Sequence, residues 1–320
     1  MKSFQFPEII KNPYFPDVLL WAIPFFVLGI ALELLALKRR PVENAYTRKD
    51  AITSVLMGLG SSVTDTVFKF IPFGLLIFVW QFRVIDLGMS IPIIMLALVL
   101  DDFSYYWRHW LSHKSRWCWA VHVVHHSSEH FNLTTALRQP WTSSISGTFI
   151  LQIPLVLMGF HPFLLAFVYM INLLYQFWFH TETITKMPYW FEYIFNTPSH
   201  HRVHHARNPR YLDANFAGIF MIWDRIFGTF VPELDDEKPD YGIVHQLNSH
   251  NIFRVSFHEF IGIFKDVFQK GPSIGQRILY IFAAPGYSHD KSRKTANDLK
   301  RDFLEKHPEQ SGSPGLPKNL

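Results

Sequence analysis

Apolar residues fill positions 18–37 with Glu33 as their only charge, and Lys38, Arg39 and Arg40 follow, then Arg48 and Lys49. That length suits one membrane-crossing helix, and the basic flank predicts a cytoplasmic end and an N-terminus outside. Residues 51–82 are long for one crossing and read as a surface piece leading into one, with Asp65 and Lys69 four apart and able to pair. Residues 87–107 return, their apolar part ending at Asp101 and Asp102; the helix is expected to run on, so that His109 and His113 emerge just beyond the membrane face. Residues 142–160 and 162–179 read as a hairpin of two crossings, turned at Gly159, Phe160, His161 and Pro162. With the N-terminus outside, odd-numbered crossings end inside, which leaves the polar stretch 114–141 and everything after Phe179 on the cytoplasmic side.

The remainder is less patterned. Apolar positions 252, 253, 257, 260, 261, 264, 267 and 268 make a helical stripe. It suits either a helix lying in the membrane interface or one packed on the cytoplasmic region. Residues 288–306 read as a charged helix, and the Gly/Pro/Ser-rich tail from Pro308 is expected to be disordered. The expected fold is all-α: an integral membrane bundle of about four transmembrane helices with a cytoplasmic histidine-rich helical domain. Residues 1–230 form the membrane and catalytic unit, 231–306 a cytoplasmic or interfacial helical region, and 307–320 a tail.

Composition agrees with a membrane protein. The 320 residues are 49% hydrophobic and 17% aromatic, with only 18% charged, against roughly 25% in a soluble domain. A net charge of +4 is too mild and dispersed to argue for nucleic acid. Residues 1–16 lack the apolar core and small-residue cleavage site of a secretory leader. A single cysteine, Cys118, excludes an internal disulfide and a thiolate-held iron–sulfur cluster within this chain.

Chemistry enters with histidine. Twelve of the 17 histidines lie between His109 and His205. They form three clusters: His109 and His113; His122, His125 and His126; His201, His204 and His205. Positions i, i+3 and i+4 share one face of a helix, so each cluster is expected to reach one point. Imidazole suits iron, zinc, copper or nickel. A tetrahedral zinc site takes four ligands, so eight histidines are too many for one ion and about right for two. Hydrolytic zinc sites usually add a carboxylate base, as in HExxH, and that motif does not occur. A zinc hydrolase or a metal transporter is the alternative from another class, but a transporter would place ionisable residues near mid-membrane. All-nitrogen ligation with open positions, beside the ends of membrane spans, points instead to iron and O2 acting on a lipid chain.

The stretches DDFSYYWRHWLSH, WAVHVVHHSSEHFNLTTALRQ, LLYQFWFHTE and NTPSHHRVHHARNPRYLDANFAGIFMIWDRIFGTF resemble the sterol desaturase/fatty acid hydroxylase superfamily. The resemblance runs from about Asp101 to Gly228, with weaker echoes in YGIVHQLN and APGY, and is strongest to the branch that oxidises alkylglycerol ether lipids. It implies a membrane-bound oxygenase with two iron ions ligated by the eight clustered histidines, with His180 as a candidate ninth. Asp102 and Glu129 are the carboxylates best placed to orient imidazoles through their outer N–H groups. His200 adjoins the third cluster out of pattern, and Arg138, Arg207 and Asn208 match the family without an assigned role. His130, His161, His245, His250, His258, His289 and His307 are expected not to be ligands. The expected partners are a lipid substrate in the bilayer and an electron donor, either tetrahydrobiopterin or a ferredoxin or cytochrome b5 system. No HPGG haem motif or GxGxxG fingerprint supplies electrons internally. A sterol or fatty acyl hydroxylase or desaturase of the same superfamily is the nearer alternative.

Overall fold

The computed structural model describes residues 18–316, which are helical and loop, with only isolated bridges (Phe195 with Phe220, Ala206 with Tyr241) in place of strands. The expectation of no leader at residues 1–16 falls outside the described residues, as do the last four residues of the expected tail.

Helix α1, Val18–Arg39, follows the first apolar run and ends on Lys38 and Arg39. Cations at that end suit the helix dipole. Residues 51–82 become two helices, α2 (Arg48–Phe68) and α3 (Phe70–Trp80), broken only at Lys69. Helix α2 turns Asp50, Thr53, Ser54, Met57 and Ser61 inward. Asp65 takes hydrogen bonds from Ser144 (2.7 Å) and Ser61 (3.4 Å); no ion pair with Lys69 forms among the described residues. Helix α4, Ile91–Lys114, is one unbroken rod from apolar start to histidine end, as expected. Ser115 alone, extended at φ −118°, separates it from α5, Arg116–His126. That single extended residue folds α5 back on α4 and brings their histidines face to face.

The hairpin differs from expectation. Residues 142–160 are not one helix but 3₁₀ turns, Ser143–Ile145 and Thr148–Gln152, followed by α6, Ile153–Met158. Gly147 at φ 85°, Pro154 and Gly159 at φ 110° break the run, because left-handed backbone and a missing N–H both interrupt α-helix. The turn is where the sequence placed it, and α7, Pro162–Phe177, follows with His161 capping it. At 1.5 Å per residue α7 extends roughly 24 Å, short of the ~30 Å hydrocarbon core. Two described helices are long and apolar enough to cross a membrane: Trp21–Arg39 and Arg48–Phe68. An apolar core of Leu76, Trp80, Ala97, Val156, Phe160 and Leu165 joins α3, α4, α6 and α7.

Short helices then carry the last histidines and the loops around them: α8 (Tyr189–Ile194), α9 (Pro198–His204) and α10 (Ile222–Phe227). Helix α11, Ile252–Phe268, has the bounds the stripe implied, and α12, Ile274–Phe282, follows. The charged helix starts later than residue 288: α13 is Ala296–Lys306, capped by Thr295 and Asp298. Residues 308–316 fold back, with Arg210 donating to Gln310, Lys300 to the Gly315 carbonyl (2.7 Å), and Leu316 buried.

Candidate metal centre

Helices α4, α5 and α9 and the loop after α7 meet in one place, and there the histidines form two groups. His109, His113, His122, His126 and His204 make one; His125, His180, His201 and His205 make the other. Within each group the ring nitrogens lie within 4.8 Å of one another. His126 stacks on His205 at 4.4 Å between centroids and joins the two groups.

The sequence expectation that each cluster reaches one point holds for His109 and His113 and is corrected for the other two. Each HxxHH cluster is divided between the groups. His122 and His126 go one way and His125 the other; His201 and His205 share a group while His204 joins the other. Helix geometry is the reason: at 100° per residue, i+4 returns to within 40° of i, whereas adjacent residues diverge by 100°. The i, i+4 members therefore stay together. All eight clustered histidines fall in one group or the other, and His180 joins the second. The remaining histidines join neither group. His200 turns instead toward Glu192 and Phe230.

Main-chain carbonyls fix the rings. Nδ1 of His109 donates to the Phe216 carbonyl (2.8 Å), Nδ1 of His204 to Ala214 (2.9 Å), and Nδ1 of His180 to Gln176 (2.8 Å). Burial drives these imidazoles well below their ordinary pKa, so they are neutral. A neutral ring whose Nδ1 donates must offer a bare lone pair at Nε2. Those of His180 and His109 face the Nε2 atoms of other rings. His180 Nε2 lies 2.9 Å from His201 Nε2 and 3.1 Å from His125 Nε2; His109 Nε2 lies 2.9 Å from His122 Nε2. Nε2 of His204 and of His113 are buried with no hydrogen-bond partner. Bare Nε2 lone pairs on His109, His180 and His204, each within 4.8 Å of further ring nitrogens of its group, are ready-made metal donors, so two metal ions fit this donor set.

The surroundings of the two groups differ. Beside the first, Asp213 Oδ1 lies 3.6 Å from His113 Nδ1 and Oδ2 takes Lys114 Nζ at 2.5 Å. Burial pushes the Asp213 carboxyl up, but His113 and Lys114 outweigh it and hold it below its ordinary range. Around the second stand aromatic walls: Phe179 at 4.3 Å from His201, and Phe131 at 5.2 Å from His205.

Asp102 and Glu129 do not meet the imidazoles directly. Glu129 is exposed. Asp102 accepts from the amides of Ile219 (2.7 Å) and Phe220 (3.0 Å), from Trp223 Nε1 and from Asn172. Asp224 accepts from the amides of Phe216 (2.8 Å) and Ala217 (2.7 Å). Together the two carboxylates pin the loop that presents the Phe216 carbonyl to His109. Gly218 lets that loop close, because a Cβ there would come within 2.6 Å of Asp102 Oδ1. Asp213 and Asn215, at φ 54° and 57°, supply left-handed backbone that short polar residues tolerate. They thereby aim the Ala214 carbonyl. Sequence reasoning missed Asp213, Asp224 and these carbonyls; the one signal was Asp-Ala-Asn within the conspicuous RYLDANFAG.

The unassigned family positions are scaffolding. Arg138 is fully buried and pairs with Asp50 at 2.8 Å. Arg207 and Asn208 hold residues 237–240. Arg202, missed in the sequence, pairs with Glu233 and donates to the carbonyls of Thr181 and Ile184, fixing the loop that follows His180.

Residues 94–229 match the family model for fatty acid hydroxylase. The chain is 39% identical over 296 residues to an alkylglycerol monooxygenase of Homo sapiens, covering 91% of this chain and 63% of that protein. It is 38% identical over 284 residues to the alkylglycerol monooxygenase of Xenopus tropicalis, covering 87% and 61%. A human cholesterol 25-hydroxylase is 25% identical over 243 residues, 69% of this chain and 85% of its own length. The chain thus spans less than two thirds of the alkylglycerol monooxygenases it matches. No solved structure matches it.

Proposed function

We propose, from the match of residues 94–229 to the fatty acid hydroxylase family model, that the chain is a membrane-bound di-iron oxygenase hydroxylating a lipid chain, with an alkyl ether lipid as its substrate. The observation that carries this reading is the convergence of nine neutral histidines in two groups, together with likeness to proteins named alkylglycerol monooxygenase over most of the chain. His109, His113, His122, His126 and His204 would hold one iron, and His125, His180, His201 and His205 the other.

Bound iron supplies the oxidant that an unactivated C–H bond requires, because no side chain can abstract that hydrogen. The protein's part is preparation. The Phe216, Ala214 and Gln176 carbonyls hold three rings with Nε2 inward. Burial keeps the histidines unprotonated, and Phe131 and Phe179 exclude water from the second group. Placing oxygen on the carbon next to an ether oxygen gives a hemiacetal, which separates into an aldehyde and a glycerol. One oxygen atom inserted from O2 consumes two electrons, and an external donor supplies them, with a reduced pterin the first choice.

The proposed topology starts α1 outside and takes an odd number of membrane passages, so that the histidine groups and the C-terminal region face the cytoplasm. The basic flank Lys38, Arg39, Arg40, Arg48 and Lys49 supports that orientation. Convergence of α5 and α9 requires an even number of crossings between them, and the apolar hairpin turned at Gly159 supplies two or none. Tags near Gly159 and at the C-terminus, probed from outside intact cells, test this; a C-terminus labelled from outside overturns it.

The activity test uses the purified full chain in lipid nanodiscs with Fe(II), O2, a reduced pterin and an alkylglycerol. Fatty aldehyde release is the expected result. Hydroxylated acyl or sterol lipid without aldehyde moves the substrate to the other members of the superfamily. No O2-dependent product with any lipid or donor overturns the oxygenase reading.

A further inference from the structure

Helices α11 and α12 face outward in an unusual way. The face of α11 that packs on α5 is Val255, Ser256, Glu259, Ile263 and Asp266, so it carries the acidic residues. Arg116, itself buried, takes both: Nε to Glu259 at 2.6 Å and Nη1 to Asp266 at 2.6 Å; Arg293 adds a second bond to Asp266 at 2.8 Å. The apolar stripe points away. Phe253, Ile261, Phe264 and Phe268 are exposed, the last by 69%, although Phe253 and Phe260 touch Trp141 and Trp117. Helix α12 repeats the pattern, with Ile274 79% exposed and Ile278, Leu279 and Phe282 exposed beside it.

A soluble surface would have the reverse arrangement, with the acids in water and the phenylalanines against α5. Contiguous apolar surface of this kind marks something that covers it. Charge identifies the cover. Among the exposed residues of α11 and α12 none is acidic, while Arg254 and Lys265 flank the stripe and Lys270 sits in the turn between the helices. Phenylalanine and isoleucine at the centre with basic residues at the edge is the composition of a helix lying in a lipid interface, and tryptophan at its border fits the same level. Position agrees as well. Met57, Val124 and Val255 share one core cluster, so α11 packs beside α2, a span-length helix whose outward residues Ile52, Val55, Leu56 and Leu59 are also apolar and exposed.

We infer that α11 and α12 form an amphipathic hairpin seated in the interfacial layer of the bilayer, with apolar faces in the acyl boundary and Arg254, Lys265 and Lys270 at anionic headgroups. The acids removed by Arg116 and Arg293 are what leave this face free of negative charge. The inference is independent of which metal the histidines hold and of the lipid oxidised.

The test is depth-resolved quenching on the full-length protein in vesicles of phosphatidylcholine and phosphatidylserine. In a Cys118→Ala background checked for unchanged thermal unfolding, an environment-sensitive fluorophore is placed singly at Phe264→Cys, Phe268→Cys or Ile278→Cys. Asp236→Cys, exposed in a loop, is the aqueous control. Phospholipid nitroxides should quench all three hairpin labels at least about threefold more than the control, and aqueous iodide should do the opposite. Quenching by iodide alone overturns the inference, because the face is then in water. Protection from both quenchers also overturns it, because a protein then covers the face. The variant Lys265→Glu with Lys270→Glu should move the labels shallower in anionic vesicles and leave them in place in pure phosphatidylcholine; equal depth in both lipids overturns the headgroup assignment.

Discussion

The two histidine groups are built from the same residue on the same helices, yet their walls differ. The five-histidine group faces a loop: its rings are held by the Phe216 and Ala214 carbonyls, Asp213 stands beside His113, and His122 is only partly buried. The four-histidine group is buried throughout and walled by Phe131 and Phe179, with the Gln176 carbonyl as its anchor. One group is surplus in ligands and polar at its edge; the other has no ligand to spare and is dry. An ion in the first should tolerate the loss of a ring, and an ion in the second should not.

The largest expected effect follows from that asymmetry. His180→Ala or His201→Ala should remove about half the bound metal and lower activity by more than about 100-fold, whereas His122→Ala should keep most of the metal, since four rings remain. Metal analysis of each purified variant decides it, with His258→Ala as an unaffected control. Equal metal loss in both groups would break the comparison.

Next come the supports. Asp224→Asn should loosen residues 216–217 and weaken the five-histidine site by about 10–100-fold, the usual cost of losing an outer support. Arg202→Lys should act instead on the four-histidine site through residues 181–184. Competition with a coloured chelator separates the two sites, and a support variant that weakens both alike would show that the groups are not independently held.

Gly218→Ala is smaller and purely mechanical. The added Cβ meets Asp102 Oδ1 and Asn172 Oδ1, and overpacking of this kind costs about 1–3 kcal/mol. Thermal unfolding in detergent should show the loss, with the metal at the four-histidine site retained.

The smallest effect is pH dependence in metal-stripped protein. Burial holds the histidines below their ordinary 6.5, His125 at about 4. The unfolded chain therefore takes up protons first as pH falls. Stability should be fully present above pH 6.5 and decline as pH falls below it, past the point near 4 where His125 protonates. Refilling with metal should shift that decline to lower pH, because bound rings cannot protonate. Stability that rises on acidification would mean the rings are not buried as described.

Much of this was legible in the sequence. Histidines at helical spacing are visible as letters, and so were the helix carrying His109 and His113 and the turn at Gly159. The division of the two HxxHH clusters was not, because which group takes i+3 depends on where neighbouring helices sit. The carbonyls of Ala214 and Phe216 were invisible for a simpler reason: every residue has one. Only the left-handed Asp213 and Asn215 hinted that the backbone there was being aimed. The broken arm before α6 could have been foreseen from Gly147 and Pro154, which punctuate an otherwise apolar run. The outward stripe of α11 shows the limit of periodicity, which finds the face but not the side of the helix that faces protein.

The central claim is that nine histidines hold two iron ions in one chain. Metal content of the full-length protein, purified from membranes without added metal and measured by plasma mass spectrometry against amino-acid analysis, tests it most directly. The account predicts about two iron atoms per chain, falling to about one in His201→Ala. Zinc in place of iron, a single ion, or no metal at all would contradict it.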